Sequence, residues 1–392
     1  MTSDIKKICF FTGTRAEYGL LKHLMKDVSK SNCLLLQIIV SGTHLSSRHG
    51  LTVKEIRDDK FFINSEIDIE LADDTNQSTC KSLAKLISRL SDVFVQLKPD
   101  LIVLLGDRYE LIGTALSAMI HRIPIAHIHG GEITEGAFDE GIRHAITKLS
   151  HLHFVATETY KKRVIQLGES KDYIYNVGGL GVDAINRTEL LNRDILEQEL
   201  GVKFLRKNLL ITYHPLTLVS KKESEYEIKE LIKALSQLKN TLQIFTMPNA
   251  DPGNNLIFEI INSYIKDNDC AFSFKSLGQV KYFSCLNQVD GVVGNSSSGL
   301  LEAPSFNIGT INIGDRQKGR LAAKSVINVK ANSDLILKSI YKLYSSEFAQ
   351  ILKTNSNPYG EGDASRKIVS ILNNIKIDTL LRKKFYDIDC QI

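Results

Sequence analysis

Several short apolar runs in this chain end in polar clusters whose residue types could do chemistry. The first is Thr12-Gly13-Thr14-Arg15-Ala16-Glu17-Tyr18-Gly19. Glycine allows a tight strand-to-helix turn, a helix start favours an anion, and Arg15 could add a forked phosphate contact. An ordinary turn with a surface arginine reads equally well. The second is Gly106-Asp107-Arg108-Tyr109-Glu110. An Asp-Arg pair straight after a buried strand is costly unless the groups are paired or used. Asp107 is thus a candidate acid or base and Arg108 a candidate phosphate partner, or the two form a structural ion pair. The third is His127-Ile128-His129-Gly130-Gly131-Glu132, where Glu132 follows two glycines and a base could reach a ligand. His127 and His129 alone make a poor metal site, because no further ligands are spaced to complete it. Asp139 and Arg143 then lie one turn apart at a helix start, where a salt bridge between them is the expected arrangement.

The second half offers fewer carboxylates and more hydroxyls. Tyr213-His214-Pro215 ends a run, and His214 is read as a group titrating near neutrality, although a lone histidine is more often structural. Gly294-Asn295-Ser296-Ser297-Ser298-Gly299-Leu300-Leu301-Glu302 is the strongest local signal. Successive amides and hydroxyls at a helix start would cradle a pyrophosphate without lysine, with Glu302 on that helix for the ribose hydroxyls. Three serines exceed what a helix cap needs, so the phosphate reading is favoured over a cap. Gly314-Asp315-Arg316-Gln317 adds Arg316 as another phosphate contact.

These clusters need elements to hold them. Strand-length apolar runs (7–12, 35–41, 101–105, 124–128, 152–156 and 173–177, then 209–213, 242–247, 271–274, 291–293, 310–313 and 326–329) alternate with amphipathic helical stretches. That rhythm predicts two parallel α/β sheets covered on both faces, with ligands beyond the carboxyl ends of the strands. The expected division is residues 1–180, 181–370, and a tail at 371–392 in which Leu380–Phe385 reads as a basic amphipathic helix docked on the first domain.

Bulk properties agree. The chain has 392 residues, enough for two cores. Its 49 Lys+Arg against 45 Asp+Glu give a net charge of +4, too balanced to imply nucleic-acid binding. No run approaches a membrane span. No secretory signal precedes the first strand, and the six cysteines are scattered without a CxxC pair. A cytoplasmic enzyme with no metal and no nicotinamide is the expectation.

The motif set then carries a resemblance. Thr-Gly-Thr-Arg-Ala-Glu-Tyr, Leu-Gly-Asp-Arg-Tyr-Glu, His-Ile-His-Gly-Gly-Glu, Ile-Arg-His-Ala-Ile-Thr-Lys, Gly-Asn-Ser-Ser-Ser-Gly and Ile-Asn-Ile-Gly-Asp-Arg-Gln-Lys-Gly-Arg occur in this order. The set resembles the UDP-N-acetylglucosamine 2-epimerase family, and within it the hydrolysing branch that makes N-acetylmannosamine for sialic acid and surface polysaccharide. The resemblance implies a GT-B fold, two Rossmann-like domains facing a cleft, and a homodimer or tetramer. It implies nucleotide contacts at Arg15, Arg108, His214, Asn249, Asn295, Ser296, Ser297, Glu302 and Arg316. Around the reacting sugar it implies Asp107, Glu132, Asp139 and Arg143, with His214 also counted as catalytic. His129 stands where the non-hydrolysing branch usually has Glu, so a base borrowed from that branch does not transfer. The implied reaction removes the carbon 2 proton as UDP leaves, giving a glycal to which water adds. UDP-N,N′-diacetylbacillosamine is the alternative sugar, and a non-hydrolysing epimerase, a glycosyltransferase or a UDP-sugar-binding regulator the alternative functions.

Overall fold

A computed structural model describes residues 5–71, 73, 75–134, 138–214, 221–247 and 255–388. It separates into two units, one of Met1–Glu132, Phe138–Ala184 and Gly362–Ile392, the other of Ile133–Ala137 and Ile185–Glu361.

The first unit is built on a seven-stranded sheet of β1 (Lys6–Thr12), β2 (Leu34–Ser41), β3 (Ser65–Ile67), β4 (Leu101–Leu105), β5 (Ile125–Ile128), β6 (Leu152–Val155) and β7 (Ile174–Asn176). All pairings are parallel, in the order β3-β2-β1-β4-β5-β6-β7. Such strands need apolar side chains on both faces, and all five residues of β4, Leu-Ile-Val-Leu-Leu, are buried. Helices cover each face by periodicity. Arg15–Ser29 buries Tyr18, Leu21, Leu24, Met25 and Val28, and Asn76–Leu97 buries Ser82, Leu86, Leu90 and Phe94. At about 1.5–3 kcal/mol per fully buried large apolar side chain, these stripes fix the helices on the sheet.

The second unit repeats the plan with β8 (Lys207–Thr212), β9 (Thr241–Thr246), β10 (Ala271–Phe274), β11 (Gly291–Gly294), β12 (Gly309–Ile313) and β13 (Val326–Val329), in the order β10-β9-β8-β11-β12-β13. In each sheet the order reverses once, between β1 and β4 and between β8 and β11. Loops diverge at that point and open a crevice beyond the strand ends.

The chain end belongs to the first unit. Ala364–Asn374 packs on Arg15–Ser29, and Lys6 Nζ bonds the carbonyls of Leu372, Asn373 and Ile375 at 3.0, 2.8 and 2.8 Å. The helix expected at Leu380–Phe385 does not form; a short 3-10 turn at Ile377–Thr379 gives way to irregular chain. A six-residue helix is too short to stand on its own hydrogen bonds, and side-chain and backbone contacts to the domain take its place. Among the described residues no helix is long and apolar enough to cross a membrane.

Candidate active site

At the switch point of the first sheet, the loops after β1 and β4 meet through charge. Thr14 caps its helix, its hydroxyl accepting from the Glu17 N–H at 3.3 Å. Glu17 folds back and accepts from the Gly13 N–H at 2.8 Å. The amide expected to greet a phosphate therefore already holds a carboxylate. Arg15 points to Glu55, Nε to Oε1 at 2.9 Å. Arg108 forks onto the fully buried Glu110 at 3.2 and 3.1 Å, with Glu17 3.8 Å away. One guanidinium faces two buried carboxylates. Burial pushes Glu17 up to about 7, against the pull of Arg108, while Glu110 holds Arg108 cationic despite its desolvation.

Arg143 ties the next two loops together. It is paired with Asp107 after β4 and donates to the Glu132 carbonyl after β5 at 2.9 Å. The partner expected one turn earlier, Asp139, is not the one Arg143 takes. With its side chain 5 % exposed, Arg143 is turned inward, where Asp107 offers a pairing that a surface i,i+4 contact cannot match. Desolvation and then the Asp107 charge raise the Asp139 carboxyl above its ordinary range. Glu132 lies 3.5 Å from His129 Nδ1, and His129 sits at φ 67°. Gly131 has φ 78°, and a Cβ there would collide with the Tyr160 carbonyl, so the glycine shapes this loop.

His127 is committed to structure. Its Nε2 faces the Gly106 carbonyl at 2.8 Å and must carry the proton, since a carbonyl only accepts; Nδ1 faces Thr147 at 3.1 Å. Burial lowers its pKa to about 3. Among the described residues no group of three or more His, Cys, Asp or Glu could hold a metal ion.

In the second unit, Asn295 brackets the loop after β8. Its Oδ1 accepts the His214 N–H and its Nδ2 donates to the His214 carbonyl, both at 2.7 Å. That amide is spent on backbone, so Asn295 positions His214. Gly294, at φ 141°, permits this closure, since a Cβ would strike the Thr212 carbonyl. The Asn295 carbonyl accepts from Arg316 at 3.1 Å and Gln317 at 2.9 Å. Arg320 lies close enough to lower the pKa of Arg316, second to burial, and donates to Thr134 at 3.2 Å. Among the described residues neither arginine is paired with a carboxylate. The Ser296 and Ser297 amides likewise meet no described acceptor.

Two expectations are corrected here. The helix after the serines is only Ser298–Leu301, four residues, ended by Pro304 in a following 3-10 turn. So short a helix has little dipole to offer an anion, which leaves the local amides and the arginines as the groups that could hold one. Glu302 lies just past that helix, accepts from Ser298, and is raised by burial. His214 does not titrate near neutrality: burial and then Arg316 lower it to about 4, so it is a neutral imidazole at pH 7. Asn249 lies outside the described residues.

The first unit thus brings together Asp107, Glu132 and Arg143, with Arg108 beside Glu17 and Glu110; the second brings together His214, Asn295 and Arg316. The sequence reading assigned no role to Glu17, Glu110, Gln317, Arg320 or Tyr282, whose hydroxyl meets Ser298 at 2.6 Å. Glu17 was discoverable, three residues after a Thr cap. Tyr282 left no local signal.

The model of the UDP-N-acetylglucosamine 2-epimerase family matches residues 26–373. A Campylobacter jejuni protein named GDP/UDP-N,N′-diacetylbacillosamine 2-epimerase (hydrolyzing) is 45% identical over 98% of this chain and 99% of its own. A Legionella pneumophila UDP-N,N′-diacetylbacillosamine 2-epimerase (hydrolyzing) is 37% identical over 97% and 99%. The Escherichia coli polysialic acid biosynthesis protein P7 is 37% identical over 98% of each chain. Among solved structures, the Neisseria meningitidis UDP-GlcNAc 2-epimerase bound to UDP-GlcNAc superposes with TM-score 0.73 at 20% identity, over 93% of this chain and 99% of that one. The Staphylococcus aureus MnaA–UDP structure gives 0.76 at 20%, over 98% and 100%. That likeness shows the fold, and with the family match it follows that this chain belongs to the UDP-N-acetylglucosamine 2-epimerase family.

Proposed function

We propose that the chain is a hydrolysing 2-epimerase of a UDP-linked 2-acetamido sugar. The observation that carries this reading is the Arg143 tie, which fixes two carboxylate-bearing loops, those of Asp107 and Glu132, beyond the ends of the neighbouring strands β4 and β5. A carboxylate takes the carbon 2 proton, the carbon 1–oxygen bond breaks, and its electron pair leaves with UDP. Water then adds to carbon 1 of the glycal and a proton returns to carbon 2 on the opposite face. In this reading Asp107 and Glu132 share proton abstraction and the directing of water. Asp139, whose carboxyl is raised, suits the return of a proton. The carbon 2 proton is weakly acidic, so the leaving group needs strong stabilisation. Arg316, Arg320 and the Ser296 and Ser297 amides supply it in the second unit, with Glu302 for the ribose and His214 as a neutral hydrogen-bonding group. Arg15 and Arg108 would add to the phosphate contacts only by leaving Glu55 and Glu110.

Two sugars fit. The motifs led to UDP-N-acetylglucosamine and N-acetylmannosamine for sialic acid. The 45% relative and one of those at 37% are named for the diacetylated sugar, and that observation supports UDP-N,N′-diacetylbacillosamine as the substrate. Incubation with each nucleotide sugar, without acceptor or metal, tests both: free 2-epimerised sugar and UDP are expected, with the faster substrate deciding the sugar. Recovery of a UDP-linked epimer would overturn the hydrolysing reading. A cytoplasmic homo-oligomer completes the proposal, checked by light scattering of the purified protein.

A further inference from the structure

The C-terminal segment forms a strap over the far end of the helix that carries Asp139 and Arg143. Lys383 is its anchor. Its ammonium meets three oxygens: the Lys148 carbonyl at 2.5 Å, the Ser150 carbonyl at 2.7 Å and Glu169 Oε2 at 2.8 Å. That uses all three of its hydrogens. Glu169, 2 % exposed, also accepts from Lys148 at 2.6 Å and from His153 Nε2 at 3.0 Å. Burial alone would raise this carboxyl; the bonds from His153, Lys148 and Lys383 instead bring it down to about 2. Phe385 adds a contact from the exposed side. Its ring lies under the Lys148 ammonium at 4.8 Å and fills the space a Cβ on Gly168 would need, and the Tyr386 N–H bonds the Gly168 carbonyl at 3.0 Å.

The two carbonyls that Lys383 holds end the Asp139–Leu149 helix, where a cation is favourable. One turn back, Thr147 bonds the Arg143 carbonyl at 2.9 Å and touches His127. His127 pairs in register with His153, the histidine that bonds Glu169, and holds the Gly106 carbonyl beside Asp107. The strap therefore reaches the Asp107–Arg143 pair by two routes, along the helix and across β5 and β6.

We infer that Lys383 is a positioning residue for the reaction: by capping the Arg143 helix and closing on Glu169, it sets where Arg143 places Asp107 and the Glu132 loop. This rests on the reading that Arg143 serves the chemistry.

The test is a double-mutant comparison of Lys383→Met and Arg143→Lys in the full chain, with kcat, KM and calorimetric UDP affinity for each. A sub-ångström shift at a reacting group can cost tenfold or more, so Lys383→Met is expected to lower kcat roughly tenfold. UDP affinity should not move, and the loss should nearly vanish in the Arg143→Lys background. Lys383→Arg should retain most of the turnover, and Lys384→Met, at the exposed neighbour, all of it. If Lys383→Met does not fold, Phe385→Leu tests the same strap more gently, with a smaller fall in kcat expected. Normal kcat per folded molecule in Lys383→Met, or in Phe385→Leu where that variant stands in, would overturn the inference and leave the strap a purely stabilising contact. Normal turnover in Arg143→Lys would instead overturn the reading beneath it.

Discussion

The two units share one strand order, to which the first adds β7, and both place polar residues beyond their strand ends, yet charge them in opposite ways. In the first, arginines are matched by carboxylates: Arg108 by Glu110 and Glu17, Arg143 by Asp107. In the second, Arg316 and Arg320 stand near each other, Arg316 on the Asn295 carbonyl, without a carboxylate among the described residues to neutralise them. A site for proton transfer needs carboxylates held in place. A site for a diphosphate needs positive charge left uncompensated until the ligand arrives. On the proposed reading, the same scaffold is specialised by which residues end its strands.

The sharpest way to break this contrast is to neutralise the first unit's carboxylates. Asp107→Asn and Glu132→Gln should each lower kcat roughly 100- to 10,000-fold, the usual contribution of an acid–base group, while UDP binding is nearly unchanged. An equal loss in UDP affinity would erase the division of labour. The converse variants come next. Arg316→Ala and Arg320→Ala should each weaken UDP by about ten- to a hundred-fold, one charge-assisted hydrogen bond's worth, in calorimetric titration. Unchanged affinity in both would mean the nucleotide sits elsewhere.

Smaller effects are expected at the glycines that shape each loop. Gly131→Ala and Gly294→Ala both place a Cβ against a carbonyl from a positive φ, and each should cost about 1–3 kcal/mol in denaturant unfolding. A neutral Gly294→Ala would show that the β8–β11 closure is not tight.

The smallest contrast is in acid. Burial holds His44, His127 and His151 down to about 4, 3 and 4 and lowers His153, all in the first unit; His214, at about 4, is the matching case in the second. A histidine with a folded pKa below its unfolded value of about 6.5 contributes stability above 6.5 that is lost as pH falls toward the folded value. Glu17, raised to about 7, acts in the opposite sense, its stabilisation fading as pH rises from about 4.5 to 7. Asp139, also raised, acts in the same sense as Glu17; the four histidines outweigh these two carboxyls, so hydrogen-exchange protection of β5 and β6 should decline before that of β8 and β11 between pH 7 and 5. The reverse order would contradict this assignment of buried neutral imidazoles.

Much of this was legible in the sequence because parallel strands announce themselves. Leu-Ile-Val-Leu-Leu has no reading other than a buried element, and the polar residues after it fall where ligands bind. Ser65–Ile67 escaped notice because a three-residue edge strand needs no apolar run. Spacing along a helix shows only local neighbours, so it does not reveal the Asp107 partner of Arg143, which comes from a loop 36 residues earlier. His214 could be located but not titrated, since burial and the nearby Arg316 are tertiary facts. The basic, amphipathic pattern of the tail predicts a helix that does not form. Lys383 anchors the segment and Phe385 lies against Gly168, contacts that periodicity does not encode.

The central claim is elimination across carbon 2 with loss of UDP, and turnover in heavy water followed by NMR tests it most directly. The nucleotide sugar, without acceptor or added metal, should yield UDP and a free 2-epimerised sugar carrying deuterium at carbon 2. A free sugar of unchanged configuration with protium at carbon 2 would mean simple hydrolysis of the glycosyl bond and would contradict the mechanism.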